Sequence, residues 1–232
     1  MQEDPVFCRA AAFRHFIERT SSVSCRFDLF RAAWTIAEHE HPDASLEEGE
    51  AIIVSLARTV NRRVRSQNPE ARLAHLHDVL FEIYGLAGNV EDYYNPLNSY
   101  LPYVLQSRRG IPISLTLIYC CVAELAGIET FGINAPGHFL AEVPMGQERG
   151  SASMYIDPFY GGVVLHEDEI SGRIAAATGK PVRAETLRLT RAAPRDWLAR
   201  ILNNLQASFA AADRQRDVLA MQELQSTLTA RR

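Results

Sequence analysis

Between Gly110 and Ala123 the chain runs for 14 residues without a charge. A helix that spans a bilayer needs roughly 20 apolar residues, so this stretch belongs inside the protein's own fold. Pro112 stands where a helix begins, Gly127 closes it, and the residues between are apolar nearly all round. That pattern predicts a helix surrounded by other elements. A chain of 232 residues, 47% of them hydrophobic, has enough material to enclose it.

The flanking text says what those partners are. The first ninety residues read as helices. Leu29, Phe30, Ala33, Trp34 and Ala37 form an apolar stripe from Asp28 until His41-Pro42 stops it. Ser45 followed by Glu48 predicts a capping box, and Ile52, Ile53, Leu56, Val60 and Val64 continue at helical period. Asn68 and Pro69 predict the cap and first turn of another helix, striped by Leu73, Leu76, Leu80 and Ile83 until Gly85 and Gly88. Residues 89–99 read as a polar, aromatic loop, followed by a short helix ending near Arg108-Arg109-Gly110. Beyond Gly127 the period drops toward two, and strands are expected over 129–134, 138–143, 154–157 and 162–166. A helix over 168–179 follows. After Pro181 and Pro194 come two helices, through Trp197, Ile201, Leu205 and Phe209, and through Val218, Met221, Leu224 and Leu228, read as an antiparallel hairpin. This organises the chain as a helical part (1–88), a mixed core (89–190) and the hairpin (191–232).

Charge narrows the function classes. Of the 24 basic residues 23 are arginine, against Lys180 alone, yet the acidic residues number 28 and the net charge is −4. The arginines are spread from Arg9 to Arg232 with no face set up to track phosphates, so neither nucleic acid nor a membrane is an expected partner. Cys8, Cys25, Cys120 and Cys121 form no CxxC pair, and Met1-Gln2-Glu3-Asp4 lacks the regions of a signal peptide, which predicts a reduced, cytoplasmic setting. His39-x-His41 and His75-x-His77 point to different sides of a helix and read as solvent-exposed histidines. No metal and no cofactor is expected.

His138 and Asp157 start and end two of the expected strands. If those strands pair about residues 144–153, then 143 faces 152 and 138 faces 157, with imidazole beside carboxylate. Such a carboxylate orients the ring and favours its protonated form, as a catalytic base requires; a purely structural pair is the other reading. Ser114 occupies the first turn of the buried helix, where backbone N–H groups stabilise negative charge. It reads either as a nucleophile or as a serine that satisfies those donors. Cys120 and Cys121 lie two turns further in and read as packing residues. Arg108 and Arg109 border the helix-start loop, placed to receive a carboxylate or phosphate, although Arg108 equally reads as a helix cap. Tyr93, Tyr94, Tyr100 and Tyr103 either line the same cleft or pack in the core.

The run Tyr94-x-Pro96-x-Asn98-Ser99-x-Leu101-x-x-Val104-Leu105-x-x-Arg108-x-Gly110-Ile111-Pro112-Ile113-Ser114-Leu115, then Pro136-Gly137-His138-Phe139-Leu140, then Ile156-Asp157-Pro158-Phe159, resembles the bacterial SirB-type transglutaminase-like proteins. The resemblance reaches from about Arg31 to the C-terminus. It implies an α+β fold: a helical N-terminal part, a transglutaminase- or papain-like core with a buried central helix on a small antiparallel sheet, and a C-terminal helical hairpin. It also implies that the hairpin is similar to the tetratricopeptide-like tail of longer members, cut to one unit that docks on the core. Enzymes with this pattern carry a cysteine at the helix start, then histidine and aspartate on neighbouring strands. Here His138 and Asp157 match, and Pro112 stands where the cysteine would be. The leading expectation is therefore a non-catalytic, regulatory protein whose cleft, bounded by Asn98, Arg108, Arg109, Ser114, His138 and Asp157, binds a peptide, protein or small molecule. The alternative is an amide or peptide hydrolase or acyltransferase with Ser114 as nucleophile, His138 as base and Asp157 as orienter. A homodimer is compatible with both.

Overall fold

A computed structural model describes residues 4–65, 68–145, 153–181 and 188–229. Helix α1 (Ala10–Thr20) leads into α2 (Arg26–Ala37), capped by Cys25, whose sulfur accepts from the amide of Asp28. A thiol is a weak acceptor, so the sequence marks this start only from the stripe at Asp28. In α3 (Leu46–Arg63) the Ser45 hydroxyl accepts from the amide of Glu48 at 3.2 Å, as the expected cap requires. The hydroxyl then donates to the carboxylate of Glu47, so only half of the capping box is made. Asn68 caps α4 (Pro69–His77), and the chain continues into a π-helical turn, Asp78–Ile83. A π turn holds an extra residue and rotates the stripe. Val79 and Leu80 therefore stay buried, while Ile83, expected on the buried face, is 54% exposed.

Two-residue strands β1 (Ala87–Gly88) and, after α5 (Leu101–Ser107), β2 (Arg109–Gly110) pair in parallel, a contact too short for periodicity to reveal. They lead into α6 (Pro112–Leu125), every residue of which is buried from Pro112 to Ala123. This is the enclosed helix the uncharged run demands.

The sheet follows in the order β3 (Phe131–Ala135), β4 (His138–Pro144), β5 (Ser153–Asp157) and β6 (Val163–Leu165), all antiparallel, and α7 (Glu167–Thr178) comes next. Alternation divides its side chains. Phe139, Ala141, Val143 and Ile156 join the main core with α6, whereas Ile133, Ala135, Leu140 and Leu165 meet Ile170 and Ile174 of α7 in a smaller cluster. The β4–β5 register differs from the expected one by two residues: Val143 faces Met154, and Ala141 faces Ile156. Residue 152, the expected partner of 143, lies outside the described residues. Ser153 helps fix the observed register by donating to Glu142 at 2.8 Å. An even shift leaves every side chain on its expected face.

Helices α8 (Pro194–Ala211) and α9 (Gln215–Thr229) form the hairpin. Trp197 of α8 is fully buried, its ring 4.3 Å from that of Phe139, and it lies over Gly132 of β3. A Cβ at residue 132 would stand 1.8 Å from the indole, so this docking requires glycine there. At the other end Arg214 pairs with Asp217 at 2.8 Å and with Glu40 at 2.5 Å, and Glu40 accepts from the Tyr100 hydroxyl at 2.8 Å. His39 joins Asp217 at 3.0 Å, which corrects its expected place in solvent. The carboxylate of Glu223 accepts from the amides of Val6, Phe7 and Cys8, so the hairpin also holds the residues before α1. The main apolar core runs from Cys8 to Leu228 and joins the N-terminal helices, α6, one face of the sheet and the hairpin. Among the described residues no helix is long and apolar enough to cross a membrane.

Candidate functional site

His138 opens β4 and Asp157 ends β5, and in the observed register they are diagonal neighbours on one face of the sheet. The diagonal is close enough for a direct bond: Nε2 of His138 lies 2.9 Å from Oδ2 of Asp157. The other carboxylate oxygen accepts from the amide of Phe159 at 3.1 Å, which starts the 3-10 turn Pro158–Tyr160. Arg173 of α7 brings its guanidinium 3.7 Å from Asp157 and stacks over the Tyr160 ring at 3.9 Å. The rings of Phe159 and Tyr160 each stand 6.3 Å from the imidazole. Asp157 is fully buried and His138 is 7% exposed. No described residue bonds Nδ1 of His138. The result is a sheltered imidazole, held through one nitrogen by a carboxylate, with the other left to hydrogen-bond a ligand.

Ser114 does not join this pair. Its hydroxyl, fully buried, donates to the carbonyl of Asn98 at 2.7 Å, has the Ile111 carbonyl at 3.0 Å, and accepts from the Ile111 amide at 3.2 Å. By alternation His138 shares the α7-facing side of β4 with Leu140, while Phe139 and Ala141 turn toward the core that holds α6. The expected Ser114–His138–Asp157 set is thus not assembled, because the serine is used to close the start of its own helix.

The expected ligand residues are also placed elsewhere. Asn98 is fully buried, accepting from Asn89 at 2.9 Å and donating both amide hydrogens to the carbonyls of Asp92 and Tyr93. It braces the loop and has no hydrogen left for a ligand. Arg108 takes the left-handed conformation (φ 60°) at the end of α5, donates its amide to Val104, and lays its guanidinium over Tyr84. Arg109 donates to the carbonyl of Gly85 at 3.0 Å. Their contacts are with the helix end and β1, and none is with the His138–Asp157 pair. Tyr93 packs on Phe159, whereas Tyr100 is a core residue bonded to Glu40. Arg173 and Tyr160 were not singled out by sequence reasoning. Tyr160 directly follows the Pro158-Phe159 motif, which is a usable signal, but Arg173 meets Asp157 only through the packing of α7.

Cys120 and Cys121 are buried packing residues, and His77 is a half-buried one. Burial pushes Cys120 up to about 11 and Cys121 well above the ordinary thiol range, so neither supplies a thiolate. His77, expected in solvent, instead packs against Phe81 and Tyr119, with Nε2 3.0 Å from the Tyr119 hydroxyl. Burial lowers it from 6.5 to about 4. The unfolded chain therefore binds a proton between those pH values that the folded chain does not. Its contribution is fully present above pH 6.5 and lost as pH falls through 4, about 3 kcal/mol in all. Urea unfolding at pH 7 and pH 4 should show that loss, and His77→Leu should remove this part of the pH dependence.

Residues 48–203 match the Transglutaminase-like superfamily. A UPF0162 protein of Xylella fastidiosa (strain 9a5c) is 34% identical over 190 residues, covering 80% of this chain and 66% of that protein. The UPF0162 protein of Vibrio cholerae is 26% identical over 138 residues, 59% of this chain and 50% of its own. F-box only protein 21 of Homo sapiens is 33% identical over 123 residues, which are 51% of this chain and 18% of that protein. The chain thus spans just under two thirds of the length of its Xylella relative. No solved structure matches it.

Proposed function

This chain belongs to the transglutaminase-like superfamily, and we propose that it uses its histidine–aspartate pair to bind a peptide or small ligand rather than to catalyse. The observation that carries this reading is a His138 that is nine-tenths buried and fixed through Nε2 on Asp157, with no described residue bonded to its Nδ1. With Pro112 where a thiol would stand and Ser114 bonded to Asn98 and Ile111, the pair has no nucleophile to activate. What it offers is a directed hydrogen-bonding nitrogen beside the Phe159 and Tyr160 rings, suited to one polar group on an otherwise apolar ligand. A carboxylate held against Nε2 keeps the ring from turning, so the free nitrogen is preorganised.

The same reading places the chain with the SirB-type proteins, its hairpin being one unit of a tetratricopeptide-like tail, and gives it a regulatory role in the cytoplasm. Its four free cysteines suit a reducing compartment. Hydrolysis or acyl transfer through Ser114 has no geometric support. A general base contributes about 10² to 10⁴-fold to a rate, so a catalytic His138 would be conspicuous by that factor. We expect hydrolysis of p-nitrophenyl acetate and amine incorporation into a glutamine-containing peptide to run at the same rate in the wild type and in His138→Gln. A loss of 10²-fold or more in the variant would overturn the binding reading.

A further inference from the structure

We propose that β6 is a docking edge for an extended, uncharged peptide segment of a partner protein, which adds to the sheet as a further strand beside the His138–Asp157 pair. This rests on the binding reading above and names the class of ligand. The two edges of the sheet are treated differently. At β3, Arg191 forms a bridge with Ile133, and the amide of Ala192 donates to Gly132 at 2.8 Å. Arg191 is itself held on Glu142 by bonds of 2.7 and 2.8 Å and stacked on Phe131, so that edge is covered. Beyond β6 no described strand pairs.

An open edge presents unpaired backbone groups, and proteins normally guard one with charge, proline or a covering element. The whole of β6 is Val163-Val164-Leu165, with neither charge nor proline. Val163 is 45% and Val164 38% exposed, and Tyr160, at 44%, extends this apolar surface toward His138. Their contiguity with the site, and not exposure alone, singles these side chains out, since Val90 and Tyr94 are more exposed. Val163 lies opposite Asp157 in the ladder, which makes the edge continuous with the site. Among the described residues the cation near this end, Arg173, is already paired with Asp157, and β6 itself carries no charge to select a charged ligand.

Backbone groups in a row are satisfied by another extended backbone, with side-chain contacts to Tyr160 and the valines setting preference. A second copy of this chain fits less well. Three residues give only about 10 Å of ladder, a small part of the face needed by a stable protein pair, which buries roughly 1,200 Å².

The test uses the full chain, labelled with ¹⁵N, and a set of capped pentapeptides: Thr-Val-Thr-Val-Thr, its Leu and Tyr versions, and a control with Asp at both valine positions. We expect the apolar peptides to shift the amides of Val163, Val164 and Leu165 and slow their exchange about tenfold, with the Asp control at least tenfold weaker. Val164→Lys and, separately, Val163→Lys should each weaken binding about tenfold with an unchanged melting temperature. The proposal is overturned if no peptide binds at millimolar concentration, if the shifts map away from β6, or if dilution shows the β6 amides protected by self-association. His138→Gln separates the two readings: unchanged binding at β6 upholds edge docking and removes His138 as a contact, while weakened binding upholds both.

Discussion

Trp197→Ala should lower the free energy of unfolding by about 3 to 5 kcal/mol, the cost of emptying a large aromatic site from a packed core. The indole is fully buried, packed at a tilt against Phe139 of β4 and seated over the bare backbone of Gly132 in β3. The alanine variant therefore loses both the buried area and the contact by which α8 packs on the sheet. Trp197→Phe should cost clearly less. Its ring still reaches Phe139, and it removes an indole N–H that is buried without a partner. Guanidinium unfolding of the three proteins checks the order wild type, phenylalanine, alanine. Equal losses for the two substitutions would mean that the hairpin is held elsewhere, by the Arg214 network.

Asp157→Ala should cost about 3 kcal/mol, because it strips partners from three groups at once. His138 loses its orienting acceptor, the Phe159 amide loses the bond that starts its turn, and Arg173 loses its counter-charge. Asp157→Asn keeps the shape and one acceptor oxygen and should cost less than half as much. The change is measured by urea unfolding at pH 7. The imidazole signals of His138 should move in both variants, most in the alanine one, because among the described residues that carboxylate is the ring's hydrogen-bond partner.

These two expectations rest on contacts of different visibility in the sequence. The uncharged run into α6 and the alternating runs of β3 to β5 are local patterns, and burial follows from them directly. His138 and Asp157 were legible as a pair because alternation fixes their face. The two-residue error in register did not matter, since an even shift keeps that face and the diagonal bond replaces the direct one. What escaped depended on partners far along the chain. His39 meets Asp217 across 178 positions and His77 meets Tyr119 across 42, so neither could be told from a solvent histidine by its neighbours. Asn98 and Ser114 carry ligand-like chemistry, but the structure uses it within 16 residues to join a loop to a helix start. The π-helical turn that exposes Ile83 breaks helical period without a proline or glycine at that point to announce it.

The proposed binding role rests on a histidine–aspartate pair with no nucleophile to serve, and a fluorophosphonate probe, read by intact-mass and peptide mass spectrometry, reports on that pair. We expect Ser114 to stay unmodified and the wild type and Ser114→Ala to behave alike. Stoichiometric labelling of Ser114 that disappears in His138→Gln would instead make the pair catalytic.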